Sequence, residues 1–144
     1  FAGRARRQIK VKEVKTAAQK KIQQLRGEIS SRINQRNLPA AAGLYLELIN
    51  IDSTQVPPRQ YLLDIANQLA SENKHAQSAQ AYEKFLTHYV NYEYVEQVEL
   101  MLGLLYSRYL HKPQLAVKHL QAAAKKLSEP GQLKMCQDEL AKLQ

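Results

Sequence analysis

Four histidines, one cysteine and a run of three glutamates are the groups in this 144-residue chain whose types could support metal, nucleophilic or acid–base chemistry. Each needs company at a set spacing. A zinc site takes three or four convergent ligands. His75, His88, His111 and His119 are scattered, and neither His88 nor His119 has a second ligand three or four residues further on. His75 and His111 fall at helix turns, where a solvated or capping role is expected. Cys136 is alone, so it forms no internal disulfide, and it falls on the inward side of a helix, where a thiol is buried and inert. Glu93, Glu96 and Glu99 recur every three residues, the spacing of one solvated helix face rather than of a catalytic carboxylate pair. No glycine loop cradles a phosphate and no paired-cysteine motif holds a metal. The expectation is a chain with no metal, no cofactor and no catalytic residue.

The basic residues offer different chemistry. Residues 1–36 hold eleven Lys/Arg against two acids, a net +9, while residues 37–144 hold ten against eleven, a net −1. The formal +8 of the whole chain therefore belongs to its leader. Arg4, Arg6, Arg7, Lys10, Lys12 and Lys15 are the candidates for contact with an anionic surface. A membrane face is the first reading and nucleic acid the second. The basic residues are not interleaved with aromatics as a single-strand binder would want. The first residue is Phe, and Phe1-Ala2-Gly3 before Arg4 reads as the end of a membrane helix meeting its cytoplasmic anchor, as a mature terminus after presequence removal, or as an arbitrary cut. Within the chain, no apolar run approaches the roughly 18 residues that a membrane span needs.

The elements that would position these groups are all helices. Val11, Val14, Ala18, Ile22, Leu25, Ile29 and Ile33 step by three or four residues, which predicts one long amphipathic helix from near residue 7 to residue 35. Asn37-Leu38-Pro39 stops it and starts another, with Asn37 as cap. Further helices are predicted over 39–50, 58–72, 75–90, 92–110, 113–127 and 131–143. Pro57-Pro58, Pro113 and Pro130-Gly131 punctuate them, and Asn91 is a candidate cap for the fifth. Tyr82, Phe85, Leu102, Leu105, Tyr106 and Tyr109 are among the residues expected to face inward, as is either His119 or Leu120. No segment alternates with the period of a strand.

Tyr45, Tyr82 and Leu120 stand near the middle of the second, fourth and sixth helices, 37 and 38 residues apart. Helix-turn-helix units of that period stack because one pair cannot bury its apolar face alone. Leu102-Gly103-Leu104-Leu105-Tyr106 reproduces an L-G-x2-Y core, and Ala116, Leu120 and Ala123 follow at small-x3-large-x2-small spacing. On these residues the chain resembles the tetratricopeptide repeat family. Leu62, Ile65, Ala66 and Leu69, then Ser78, Tyr82 and Phe85, carry the resemblance less literally, and Ala41, Tyr45 and Leu48 least.

The resemblance implies an all-α, antiparallel helix-pair solenoid wound as a right-handed superhelix, with about three helix pairs and a C-terminal capping helix. It places the repeats over residues 22–144 and leaves 1–21 as a basic juxtamembrane-like or linker helix. It also implies that Gly103 sits where two helices cross most closely. A concave groove would be lined by Gln23, Arg26 and Ser30, by Gln60, Leu63 and Asn67, and by Gln97, Leu100, Leu104 and Arg108. Asn67 stands where some members hold a peptide carboxylate, but Leu63 and Leu100 replace the basic residues of a chaperone-tail clamp. The implied function is a protein–protein interaction module. It would bind a peptide or partner protein with some acidic character, in the cytoplasm or at the cytoplasmic face of a membrane, as part of a larger tethered protein. The alternatives are a nucleic-acid-associated protein using the basic leader and a regulatory domain of a membrane enzyme.

Overall fold

The computed structural model describes the backbone of residues 2–144 and the side chains of residues 17–144. The described chain is all-helical, without strands. Its elements are α1 (Ala2–Asn34), α2 (Leu38–Ile51), α3 (Arg59–Ser71), α4 (His75–His88), α5 (Val95–Arg108), α6 (Pro113–Lys126) and α7 (Pro130–Lys142). The expected helices recur within a few residues. Two compact units divide the chain, Phe1–Pro57 and Pro58–Gln144. The expected boundary at residues 21 and 22 falls inside α1, which runs through it without a break.

In the first unit α1 packs on α2. Leu25 and Ile29 are buried on α1, and Ala41, Ala42, Tyr45 and Leu48 on α2. The expected α1 stripe is only partly covered, since Ala18 is exposed while Ile22 and Ile33 are half-buried. A 14-residue helix such as α2 is about 21 Å long and covers some four turns of a partner. Leu25 and Ile29 lie within that stretch, and Ala18 does not. Val11 and Val14 lie outside the described side chains. The cap expected at Asn37 is present: its side chain accepts the Ala40 N–H at 3.2 Å, leaving one fewer orphan donor in the first turn.

In the second unit α3 packs on α4 and α5 on α6, α4 also meets α5, and α7 lies against α6 and α5. Leu62, Ile65, Ala66 and Leu69 on α3, and Tyr82 and Phe85 on α4, are fully buried. So are Leu102, Ala116, Leu120, Ala123 and Cys136. α5 and α6 approach closely at Gly103. A Cβ built on Gly103 would stand 2.6 Å from Leu120 Cγ and 3.2 Å from the Leu120 backbone nitrogen. No side chain fits there without moving a residue that is itself fully buried.

Among the described residues three other than glycine have positive φ: Arg36 (59°), Asn73 (62°) and His111 (52°). Each follows the first helix of a pair and turns the chain into the second. In each turn a backbone N–H one residue later bonds back into the helix just ended: Asn37 to Arg32 O, Lys74 to Leu69 O, Lys112 to Tyr106 O. This is the left-handed C-terminal cap, which satisfies carbonyls the helix leaves open. The three positions are 37 and 38 residues apart, the same period as Tyr45, Tyr82 and Leu120.

Two expectations fail locally. Asn91 does not cap α5, which begins at Val95 after Tyr94 with no side-chain cap. The intervening residues are spent on turns from Tyr92 N–H to Tyr89 O and from Val95 N–H to Tyr92 O. Those turns set the Tyr92 ring edge-on against Phe85 at 5.2 Å, beneath the Arg59 guanidinium. Tyr109 was expected inward but is 53% exposed. It lies just beyond the end of α5 and stacks on His75 instead, ring centres 3.9 Å apart.

Candidate functional site

The C-terminal halves of α3 and α5 wall a cleft of about 370 Å³ inside the second unit. Asn67 and Ala70 stand on the α3 side, and Met101, Leu104 and Arg108 on the α5 side. Positions 101, 104, 105 and 108 share one helix face because they step by three and four. Leu102 is fully buried beneath α5, and on the cleft face Met101, Leu104 and Arg108 keep exposed surface while Leu105 is buried. The His75–Tyr109 stack stands at the cleft as well, and His75 Nδ1 has no hydrogen-bond partner. A solvated or capping His75 was expected; the ring is instead a half-buried packing surface for Tyr109.

Two polar groups of this cleft, Asn67 and Arg108, are held by residues outside it. Tyr82, fully buried on α4, donates its hydroxyl hydrogen to Asn67 Oδ1. Burial, only partly offset by a hydrogen bond with Ser78, pushes the Tyr82 phenol up to about 12, so the donor keeps its proton at ordinary pH. The Asn67 amide nitrogen carries two further N–H donors. On α5, Arg108 donates from Nε and Nη2 to Glu139 Oε1 at 3.2 and 3.0 Å, while Ser107 donates to Glu139 Oε2 at 2.6 Å. Burial alone would push the Glu139 carboxyl up. The hydrogen bonds from Ser107 and Arg108, with the charges of Arg108 and Lys142, outweigh it and hold the group below the ordinary carboxylate range.

A second polar cluster ties α4, α5 and α6. His119 is buried on α6, with Nδ1 2.6 Å from Glu99 Oε2 and Nε2 3.1 Å from Glu83 Oε1. Tyr106 donates to the same Glu83 oxygen at 2.9 Å and stacks beside the imidazole. Both ring nitrogens face carboxylate oxygens, and a neutral imidazole brings only one N–H. The two contacts together therefore need one more proton than a neutral ring carries. Burial, followed by the bond to Glu83 and its charge, raises the Tyr106 phenol. Glu99, read from the sequence as part of a solvated stripe, is thus a partner of a buried histidine. Beside it Leu86, Val90, Val95, Glu96, Ala122 and Lys126 line a smaller cleft of about 240 Å³.

The groove residues read from the sequence are partly assembled. In the second unit Asn67, Leu104 and Arg108 meet in the first cleft. Gln60 is exposed and donates to Asp64 at 2.8 Å, and Leu63 is half-buried. Leu100 is buried and presents no surface. Gln97 exchanges two amide hydrogen bonds with Gln132 of α7, at 2.7 and 2.9 Å. In the first unit Gln23 and Arg26 line a broad cleft of about 720 Å³ near Asp52 and Gln55, and Arg26 donates to Gln55 Oε1 at 3.1 Å. Ser30 is half-buried and outside that cleft. Arg4, Arg6, Arg7, Lys10, Lys12 and Lys15 lie outside the described side chains. Sequence reasoning missed Glu139, Met101, Tyr109 and the Glu83–His119–Glu99 cluster as site elements. Glu139 alone carried a signal, three residues after the inward-facing Cys136.

Among the described residues no group of three or more His, Cys, Asp or Glu converges on a metal-sized space, and no helix is long and apolar enough to cross a membrane. The chain matches no protein-family model, no curated protein and no solved structure.

Proposed function

We propose that this chain is a tetratricopeptide-like helical-repeat module that binds a peptide segment of a partner protein in the cleft between α3 and α5. The observation that carries the reading is the meeting of Asn67, Leu104 and Arg108 in one cleft, with Met101 exposed beside them. Apolar surface supplies affinity at such sites and a few fixed polar groups supply orientation. The repeat reading is supported by two periodic features that coincide, the left-handed turn residues at 36, 73 and 111 and the buried residues at 45, 82 and 120. It is supported also by the glycine at the α5–α6 crossing. The basic leader is proposed to rest on an anionic membrane, with the helical pairs held on its cytoplasmic side.

Selection of a displayed random heptapeptide library against the immobilised full chain tests the binding reading. Enriched peptides should lose binding to the Leu104→Glu and Met101→Glu chains, both shown folded by thermal melting. Enrichment that survives both substitutions, or no enrichment at all, would overturn it.

A further inference from the structure

We infer that the α3–α5 cleft reads an acidic residue next to an aliphatic one: it seats a leucine- or methionine-sized side chain and presents the Arg108 guanidinium, with no carboxylate on its lining, to the group beside it. This rests on the proposed peptide-binding reading and adds the chemistry of the ligand. Three observations carry it.

The first is the apolar wall. Met101 is 40% exposed and Tyr109 is 53% exposed, both on the cleft, with Leu104 between them and Ala70 opposite. Large apolar groups left in water along one helix face, beside a concavity, are surface that an aliphatic side chain can cover.

The second is the polarity of the rim. Asn67 Oδ1 already accepts the Tyr82 hydroxyl hydrogen, and the amide nitrogen beside it carries two N–H donors. Arg108 has no acceptor atom at all. Glu139 uses two of its N–H groups through one oxygen, and the guanidinium side chain remains 45% exposed.

The third is charge. Arg108 is the cation among the residues that line the cleft, and no carboxylate lines it. A lysine or arginine on the ligand would meet like charge, whereas an aspartate or glutamate can form charge-assisted bonds with Arg108.

Four acetylated, amidated hexapeptides test this on the full chain: Ala-Ala-Leu-Glu-Ala-Ala and its Leu-Gln, Leu-Lys and Ala-Glu counterparts. The readouts are the Met101 methyl and Asn67 side-chain amide signals by NMR, followed through titration. The Leu-Glu peptide should shift both signals saturably. The Leu-Lys and Ala-Glu peptides should each bind at least about tenfold more weakly, a difference of about 1.4 kcal/mol. Arg108→Gln should remove the preference for Glu over Gln and leave the preference for Leu over Ala. If that variant does not fold, the contrast between the Leu-Glu and Leu-Lys peptides on the unaltered chain decides alone. Equal or tighter binding of the Leu-Lys peptide, or shifts that avoid Met101 and Asn67, would overturn the inference while leaving peptide binding intact. So would silence of all four peptides on a chain that still enriches a displayed library. Silence of the peptides together with no library enrichment would remove both readings.

Discussion

Glycine carries opposite meanings at different residues of this fold. Gly43 lies in α2 with nothing within 4 Å of the place a Cβ would occupy, and Gly27 lies equally open in α1. A helical glycine there loses only backbone entropy, so Gly43→Ala should stabilise by about 0.5–1 kcal/mol. Gly103 has the same helical propensity to gain, but its Cβ would collide with Leu120 at 2.6 Å, and overpacking of that kind costs ~1–3 kcal/mol. Gly103→Ala should therefore lower the denaturant midpoint while Gly43→Ala raises it, and Gly103→Leu should unpair α5 from α6. A Gly103→Ala chain as stable as the parent would mean that the crossing yields, and the repeat alignment would go with it. The role of Gly103 was legible because a small residue at a fixed place between Leu102 and Tyr106 is a local pattern. The setting of His119 was not. Its partners Glu99 and Glu83 lie 20 and 36 residues away, and a single sequence gives no sign of which distant carboxylate a buried imidazole meets.

Helices were the most legible scale, because each begins or ends on chemistry that its own residues supply. Pro113 and Pro130 open α6 and α7, and Glu129 caps α7 by accepting the Gly131 and Gln132 N–H groups at 2.9 and 2.7 Å. The start of α5 was missed because tertiary contacts of Tyr92 with Phe85 and Arg59 override the cap that Asn91 could have made. How α7 is fixed was missed for a similar reason. Apolar periodicity points to Leu133, Cys136, Leu140 and Leu143; Cys136 is buried, the three leucines are half-buried, and the other buried residue is Glu139. Glu139 joins α7 to α5 through Ser107 and Arg108, and its pH dependence follows from the sign of its shift. The folded-state pKa is lowered, so the stabilisation is complete above the unfolded value of about 4.3 and is lost as pH falls through the folded value. Glu139→Gln should cost about 1.5–3 kcal/mol near neutrality, the range for hydrogen bonds to a charged group. Urea titrations of the two chains should converge towards pH 3. A gap that stays constant from neutrality to that pH would mean that the contact stabilises through packing rather than charge.

On the scale of the whole molecule, charge and packing divide the chain at different places. The basic excess is confined to residues 1–36, whereas the compact units meet at Pro57 and Pro58. Residues 17–21 are exposed, and Leu25 is the first fully buried side chain among those described. The exposed residues 17–21 are available for a task other than folding. Eight Lys/Arg lie between Arg4 and Lys21 against Glu13 alone. Each basic residue close to an anionic bilayer is worth about 1 kcal/mol, so the sum far exceeds what weak adsorption needs even after heavy discounting for distance. Few large apolar side chains precede Val11, so attachment should be electrostatic, without insertion. Co-sedimentation with liposomes should therefore require anionic lipid. It should fade at roughly 0.5 M salt, where the screening length falls to a few ångströms. It should disappear when Arg4, Arg6, Arg7, Lys10 and Lys12 are neutralised together, with the melting temperature unchanged. Tighter, saturable binding to nucleic acid at the same salt, with no liposome binding, would transfer the leader to phosphate recognition, whose salt slope counts the contacts made. Binding to neither would leave the cleft of the second unit as the functional surface, and a melting temperature that falls on neutralisation would show the leader to be part of the fold after all.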